Sequence, residues 1–235
     1  SGGKDSIALL YILHKIFKDR PDLGFTAITI DEGINGYREH TLEHAIKITG
    51  ELGIKHIIRS FEDEFKTTLD TLTREKENAA CTLCGVLRKN ILNKAARELG
   101  ANKLAIGHNL DDESQTILMN YMRGDIDRLK RMLPGIVQRG MVPRIKPLRS
   151  IPEKEVALYG FLNDLPVSMD ECPYAGFALR NEIRELLNNY EVNHPGTKYS
   201  LLGGYESISE FLHPADTQIV LCEKCSEPGS ERICK

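Results

Sequence analysis

Apolar residues recur at two alternating spacings along the first half of the chain, and that alternation predicts an architecture. Ile7, Leu10, Leu13, Ile16 and Phe17 fall at helical spacing, which predicts a helix over residues 6–18. The run from Phe25 to Ile30 is short, apolar and rich in β-branched residues, as suits a strand buried on both faces. Similar runs at Lys55 to Ile58 and Leu104 to Ile106 alternate with helical patterns over Arg38 to Leu52, Cys84 to Leu99 and Asp112 to Met122. Such β-α alternation predicts an α/β fold: a Rossmann-like parallel sheet with helices on both faces, its ligands at the carboxyl ends of the strands. Downstream of Tyr121 come a basic segment with several prolines, a helix near Glu153 to Asn163, another near Asn181 to Tyr190, and an irregular tail. No internal repeat or low-complexity tract is present.

Composition narrows the class without naming a function. With 235 residues and 41% apolar content, the chain can bury one substantial core with a small appendage. No apolar run approaches the length needed to cross a bilayer. A net charge of −3 gives no global attraction to nucleic acid, so RNA affinity has to come from a local patch. Between Arg123 and Lys154 nine Lys/Arg residues stand against three carboxylates, a surplus that suits a phosphate backbone or simply a solvated face. No aromatic interrupts that segment, so base stacking is not indicated there. The chain lacks an initiator Met and ends within a cysteine pattern, so a preceding strand and further residues after Lys235 are expected.

The first six residues, Ser1-Gly2-Gly3-Lys4-Asp5-Ser6, run straight into the first predicted helix. Two glycines let the backbone wrap an anion, and the N–H groups of a new helix point at it with the favourable end of the dipole. The Walker A spacing is absent, and Lys4 is followed by an acid. The stretch resembles instead the PP-loop of ATP pyrophosphatases, which cleave ATP between its α- and β-phosphates and adenylate a carbonyl oxygen. The bland alternative is a helix capped by Ser1 with a flexible entry.

Six cysteines form two groups: Cys81, Cys84 and Cys172, then Cys222, Cys225 and Cys234. In a mid-sized chain with an ATP loop, paired cysteines bind metal more often than they form disulfides. Cys81-Thr82-Leu83-Cys84 is placed at the mouth of a helix, where the dipole is expected to lower thiol pKa. Alone it suits half a zinc site, a redox dithiol or part of an iron–sulfur ligand set.

Several motifs together resemble the tRNA 2-thiolation family of the TtuA/TtcA type, its archaeal and eukaryotic wobble-uridine branch in particular. They are Cys81-x-x-Cys84-Gly85 with Arg88, Gly107-His108-Asn109-Leu110-Asp111-Asp112, Glu171-Cys172-Pro173-Tyr174, the loop from Asp31 to Arg38, and Ile151 to Val156. The resemblance implies that Cys81, Cys84 and Cys172 ligate a [4Fe–4S] cluster and leave its fourth iron without a protein thiolate. It implies catalytic or ATP-contacting roles for Arg88 and Asp112, with Gly107 against the nucleotide and Ile30 and Asp31 beside the adenosine. Ser1 to Ser6 would hold the phosphates of ATP, Lys4 neutralising oxygens and Asp5 or Asp112 holding Mg²⁺. It also implies a C-terminal zinc element built on Cys222, Cys225 and Cys234, the fourth ligand lying beyond Lys235. Residues 1–212 then form the catalytic PP-loop domain and 213–235 part of the zinc element.

The implied activity is ATP-dependent tRNA 2-thiolation: adenylation of the C2 carbonyl oxygen of a uridine, then its replacement by sulfur. Implied partners are tRNA and, as sulfur source, a ubiquitin-like carrier or free sulfide. The setting is cytoplasmic with no membrane, and a homodimer is an allowed assembly. The three thiols would equally serve a zinc ion with a water, or a metal-free persulfide with a resolving cysteine. Asp111, Asp112 and Glu113 would also serve merely as acids at a helix start, and His108 as a packed structural residue. Competing activities are a PP-loop enzyme with a nitrogen nucleophile and a metal-bearing RNA-binding module.

Overall fold

The computed structural model describes all residues except 75, 76, 133–139, 168, 169, 178, 210, 213–219, 224–227, 230, 231, 234 and 235. Helix α1 (Lys4–Phe17) leaves the glycine loop directly and is followed by strand β1 (Thr26–Asp31), helix α2 (Arg38–Glu51) and strand β2 (Lys55–Ser60). Two single-turn helices, α3 (Phe61–Phe65) and α4 (Leu69–Thr73), lead through a 3₁₀ turn at Glu77–Ala79 into the long helix α5 (Ala80–Glu98). Strand β3 (Leu104–Ala105), helices α6 (Leu110–Met122) and α7 (Ile126–Lys130), strand β4 (Arg144–Ile145) and helix α8 (Glu153–Leu162) follow. A 3₁₀ turn at Pro173–Phe177 precedes α9 (Leu179–Asn193) and α10 (Thr197–Ser209), and a short ladder of β5 (Val220–Leu221) with β6 (Pro228–Gly229) closes the order.

The predicted β-α alternation holds, and both ladders in the first 150 residues are parallel. β1 pairs with β2 from Thr26 opposite Lys55 to Asp31 opposite Ser60, and β3 pairs with β4 through Leu104 opposite Arg144. The expected continuous sheet is not what the described residues form: they give three separate two-stranded ladders. The glycine loop lies between the first two. Arg38 donates to the carbonyls of both Ser1 and Ile30, at the end of β1, while Gly107, just after β3, lies against Asp5.

Three apolar clusters hold these pieces. Ile7, Ala8 and Leu9 of α1 pack with Ile48 of α2 and Val156 of α8, which fixes the phosphate loop to the body of the domain. Ile30, Ile34, Phe61, Leu69 and Ile91 form a second cluster, on which Cys84, Cys172 and Tyr174 rest. Leu110, Ile117, Leu129, Leu202 and Tyr205 bind α6, α7 and α10 together.

Helix α10 occupies part of what the sequence predicts to be an irregular tail. Gly203 and Gly204 each cost about 1 kcal/mol relative to alanine in a helix interior, which obscures the helix in the sequence. Burial of Leu202 and Tyr205 offsets that cost, and the Tyr205 hydroxyl donates to the Leu129 carbonyl at 2.9 Å. Helix α5 begins four residues before the predicted Cys84, so Cys81 and Cys84 both lie inside it and, three apart, share a face.

Candidate active site

The phosphate loop is shaped by backbone rather than by side-chain caps. Gly2 sits at φ +80°, and a Cβ there would fall 1.7 Å from the Thr41 carbonyl oxygen, so no other residue fits. Gly3 is the cap position of α1 and has an extended backbone, but no side chain caps the helix. Ser1 therefore is not the cap: its hydroxyl donates to Ser6 Oγ at 2.9 Å, and Ser6 donates to the Gly3 carbonyl at 2.9 Å. The first amides of a 14-residue helix are left to face an anion. Gly107 lets the β3–α6 loop approach closely, since a Cβ there would stand 3.0 Å from the Asp5 carbonyl carbon.

Charged groups ring this loop. Lys4 Nζ lies 2.6 Å from Glu153 Oε1 and 3.1 Å from Asp5 Oδ2. Burial works against the ammonium, but Glu153 and Asp5 outweigh it and hold the Lys4 pKa above its usual value. Burial pushes Asp5 up despite Lys4 and a 3.1 Å hydrogen bond from Asn109. Asn109 and Asp112 form a reciprocal capping box at the start of α6, and Arg180 of α9 donates to Asp112 Oδ1 at 3.2 Å. Burial raises Asp112 in turn, against the pull of Arg180. Asp111 and Glu113 are structural: Asp111 accepts from the Glu153 amide at 2.8 Å and pairs with Lys198, and Glu113 pairs with Lys146 at 2.6 Å.

The His108 residue is open to solvent, yet the surrounding protein mass, together with Lys146, pushes its pKa down to about 4. Below its ordinary pKa of 6.5 the unfolded chain takes up a proton that the folded chain refuses until pH falls to about 4. Stability therefore declines as pH falls across that window. A His108→Gln variant is expected to unfold with a shallower pH dependence there, and the His108 ring protons in NMR are expected to titrate near 4. Titration near 6.5 would contradict the placement.

The three thiols gather near Arg88, none in a disulfide. Cys81 is exposed and donates to the Tyr174 carbonyl at 3.6 Å, while Cys84 and Cys172 are half-buried on the cluster that holds Tyr174. Two chain segments thus bring sulfur to one place. The expected depression of thiol pKa by the helix dipole is not found at Cys84, which burial pushes up to about 11 in spite of Arg88. Cys172 is raised by burial as well. Among the described residues no three Cys, His, Asp or Glu side chains converge tightly enough to chelate a single ion. Thiolates on a multi-iron core each bind a different iron and stand further apart, so the donor chemistry of an all-thiol set fits a cluster better than a lone zinc ion.

Arg88 lies beside the thiols. Its guanidinium acts electrostatically on Cys84, Cys172 and His108, and its Nη1 lies 3.4 Å from Glu32 Oε1. Glu32 is 2% exposed and its other oxygen meets Arg38 Nε at 2.8 Å, an ion pair lacking the alignment of a hydrogen bond. Ile30 is buried at the end of β1, and Asp31 borders an open depression of about 220 Å³ shared with Gly33, Ile34, Arg38 and Glu39. Cys222 is buried beside β5, whereas Cys225 and Cys234 lie outside the described residues.

Four supporting residues were not singled out by the sequence. Glu32 and Glu153 lie inside stretches that carry the resemblance, so a signal existed for them. Asn109 also lies inside such a stretch, although its bond to Asp5 spans 104 residues, whereas Arg180 acts through a contact 68 residues away, which no local pattern marks.

An α/β fold with a side-chain-uncapped glycine loop at a helix start is the arrangement of a phosphate-binding protein. Residues 1–191 match the PP-loop domain, and the chain belongs to that family. Several of its relatives there are named as tRNA 2-thiolation proteins. The protein named tRNA 2-thiolation protein NcsA of Haloferax volcanii is 41% identical over 250 residues, covering 100% of this chain and 78% of the relative. Cytoplasmic tRNA 2-thiolation protein 1 of Caenorhabditis elegans is 37% identical over 100% of this chain and 64% of its own length. The solved structure described as the U34-tRNA thiolase NcsA from Methanococcus maripaludis with its [4Fe-4S] cluster is similar with a TM-score of 0.86 and 38% identity, over 100% of this chain and 76% of that one.

Proposed function

We propose that the chain is an ATP-dependent tRNA-uridine 2-sulfurtransferase acting on the wobble uridine. The observation that carries this reading is the pairing of an anion-binding loop with a three-thiol set beside Arg88, in a chain whose relatives include a thiolase described with a [4Fe-4S] cluster. The loop amides and Lys4 hold the phosphates of ATP. The C2 oxygen of uridine attacks the α-phosphorus, pyrophosphate leaves, and a sulfur nucleophile then displaces AMP from C2. Charge builds on the α-phosphoryl oxygens in the first step, and Lys4 and Arg88 are the cations available to meet it. Asp5 and Asp112, both within the ring of charge around Lys4, would hold Mg²⁺. Cys81, Cys84 and Cys172 would hold a [4Fe–4S] cluster, which supplies a soft Lewis acid that keeps sulfur deprotonated. The base has to leave its stack to reach both centres. Sulfur arrives as free sulfide or from a ubiquitin-like carrier, in the cytoplasm, and residues 213–235 with Cys222, Cys225 and Cys234 form part of a zinc element attached to the domain of residues 1–212.

The test is anaerobic incubation of the chain with ATP, sulfide and an unmodified tRNA transcript. The expected products are 2-thiouridine by nucleoside mass spectrometry, with one AMP and one pyrophosphate per sulfur inserted. Absence of pyrophosphate release would favour an RNA-binding module. Adenylation followed by incorporation of an amine would favour a ligase with a nitrogen nucleophile.

A further inference from the structure

Helix α5 and the extended stretch from 140 to 146 are joined in a register that brings near each other two cations with no carboxylate partner among the described residues. Arg97 donates to the Gly140 carbonyl at 2.9 Å. One turn earlier, Asn93 donates to the same carbonyl at 3.1 Å and accepts from the Val142 amide at 2.9 Å. Residues four apart on a helix share a face, and residues two apart on an extended chain share a side. The next step of this register runs from Lys89 to Arg144, which is first among the charges that act on Lys89. Lys146, two further along the same side, continues toward α6, where it pairs with Glu113.

The neighbouring cations are already satisfied: Arg88 by Glu32, Arg128 by Asp125 at 2.9 Å, and Lys146 by Glu113. Lys89 and Arg144 have no carboxylate partner among the described residues, and Arg144 Nη2 is shielded from water with no hydrogen-bond partner. Lys89 is exposed and Arg144 is half-buried. Although part of the Lys89 side chain meets solvent, desolvation by the protein packed around it lowers its pKa first, and Arg144, Arg88, Arg128 and Lys146 lower it further. Like charges gathered in this way destabilise a fold unless an anion joins them, and a guanidinium beside an ammonium offers a fork and a point charge to one phosphate.

We propose that Lys89 and Arg144 form a phosphate seat, separate from the glycine loop, that takes a backbone phosphodiester of the RNA substrate. This rests on the reading of the chain as a tRNA-modifying enzyme. A phosphodiester is favoured over a nucleotide phosphate because the glycine loop and Lys4 already serve ATP, and Lys89 opens outward. The seat lies on α5, the helix that carries Cys81, Cys84 and Arg88, so an RNA strand anchored there is held beside the thiols.

The experiment compares the full chain with Lys89→Ala, Arg144→Ala and the double variant, using unmodified tRNA transcript and a non-hydrolysable ATP analogue as separate probes. Each single variant is expected to weaken tRNA binding by about tenfold near 0.1 M salt, and to flatten the slope of log affinity against log salt by about 1. Affinity for the ATP analogue is expected to be unchanged, as is tRNA affinity in a Lys47→Ala control on the exposed face of α2. Weakened nucleotide binding with unchanged tRNA binding overturns the assignment in favour of an ATP phosphate. An equal loss in the Lys47 control reduces the seat to general charge and overturns it too. Unchanged tRNA binding in the double variant removes the seat while leaving the enzymatic reading standing, whereas a wild-type chain without tRNA affinity removes that reading itself. Unligated thermal melts check folding, and all three variants are expected to melt no lower than wild type, because each relieves like-charge crowding.

Discussion

Cys172→Ala is expected to cut 2-thiouridine formation by at least about a thousandfold, the scale on which interdependent catalytic groups fail when one is removed. Anaerobically purified wild-type protein is expected to be brown and the variant colourless, because two thiolates from α5 cannot hold an iron–sulfur core that the third segment no longer closes. ATP binding is expected to survive, since the loop at Gly2 and Gly3 is fixed by α1 packing on α2 and α8 and owes nothing to residue 172. The change removes only a half-buried sulfur at the edge of a cluster centred on Ile30, Phe61 and Ile91, so the fold has no reason to fail. Iron content, ATP affinity and thiolated nucleoside measured on one preparation separate the possibilities. A colourless, iron-free wild type that still thiolates would return the thiols to persulfide chemistry, and an unaffected variant would remove Cys172 from the site.

The same residues show why part of this site was legible in the sequence and part was not. The phosphate loop was legible because its requirements are local: glycine where φ is positive and Thr41 crowds, and a helix starting at once. The Cys81–Cys84 pair was legible as a pair, but its electrostatics were not. A helix start favours thiolate, and burial on the cluster around Phe61 disfavours it more strongly, a balance set by residues distant in the chain. Strands β1, β2 and β3 were found to within a residue or two because their β-branched runs are strong, whereas β4, β5 and β6, two residues each, carry no run long enough to register. How those strands join depends on pairing, which no single run encodes, and the described residues divide into separate ladders. Helix α10 was hidden by its two glycines, and the one-turn helices α3, α4 and α7 are too short for periodicity to register. Arg180, which holds Asp112 from α9, is invisible to any pattern shorter than the fold.

Glu32→Ala is expected to cost about 3–5 kcal/mol of stability, the range for breaking a buried ion pair from one side. Glu32 and Arg38 are 2% and 5% exposed, so the guanidinium left behind could neither reach water nor lose its charge. Arg38 is also the clasp of the site: it donates to the Ser1 carbonyl at 2.9 Å, to Thr41 Oγ1 at 2.8 Å and to the Ile30 carbonyl, joining the phosphate loop to the end of β1. The second oxygen of the same carboxylate pairs with Arg88, the cation that acts on the thiols, so one residue touches both Arg38 and Arg88. Urea unfolding measures the cost, and a double-mutant cycle with Arg38→Met assigns it. If the pair is the cause, Glu32→Ala should be much less harmful once Arg38 is already methionine, because no buried charge then remains unpaired. Additive losses would locate the effect elsewhere. Glu32→Gln keeps the size and polarity of the side chain without its charge, so it should be less destabilised than Glu32→Ala and still bind ATP, while thiolation falls as Arg88 loses its anchor. Thiolation at the wild-type rate by the Glu32→Gln variant would show that Arg88 needs no such hold and acts, if at all, from its own exposed position.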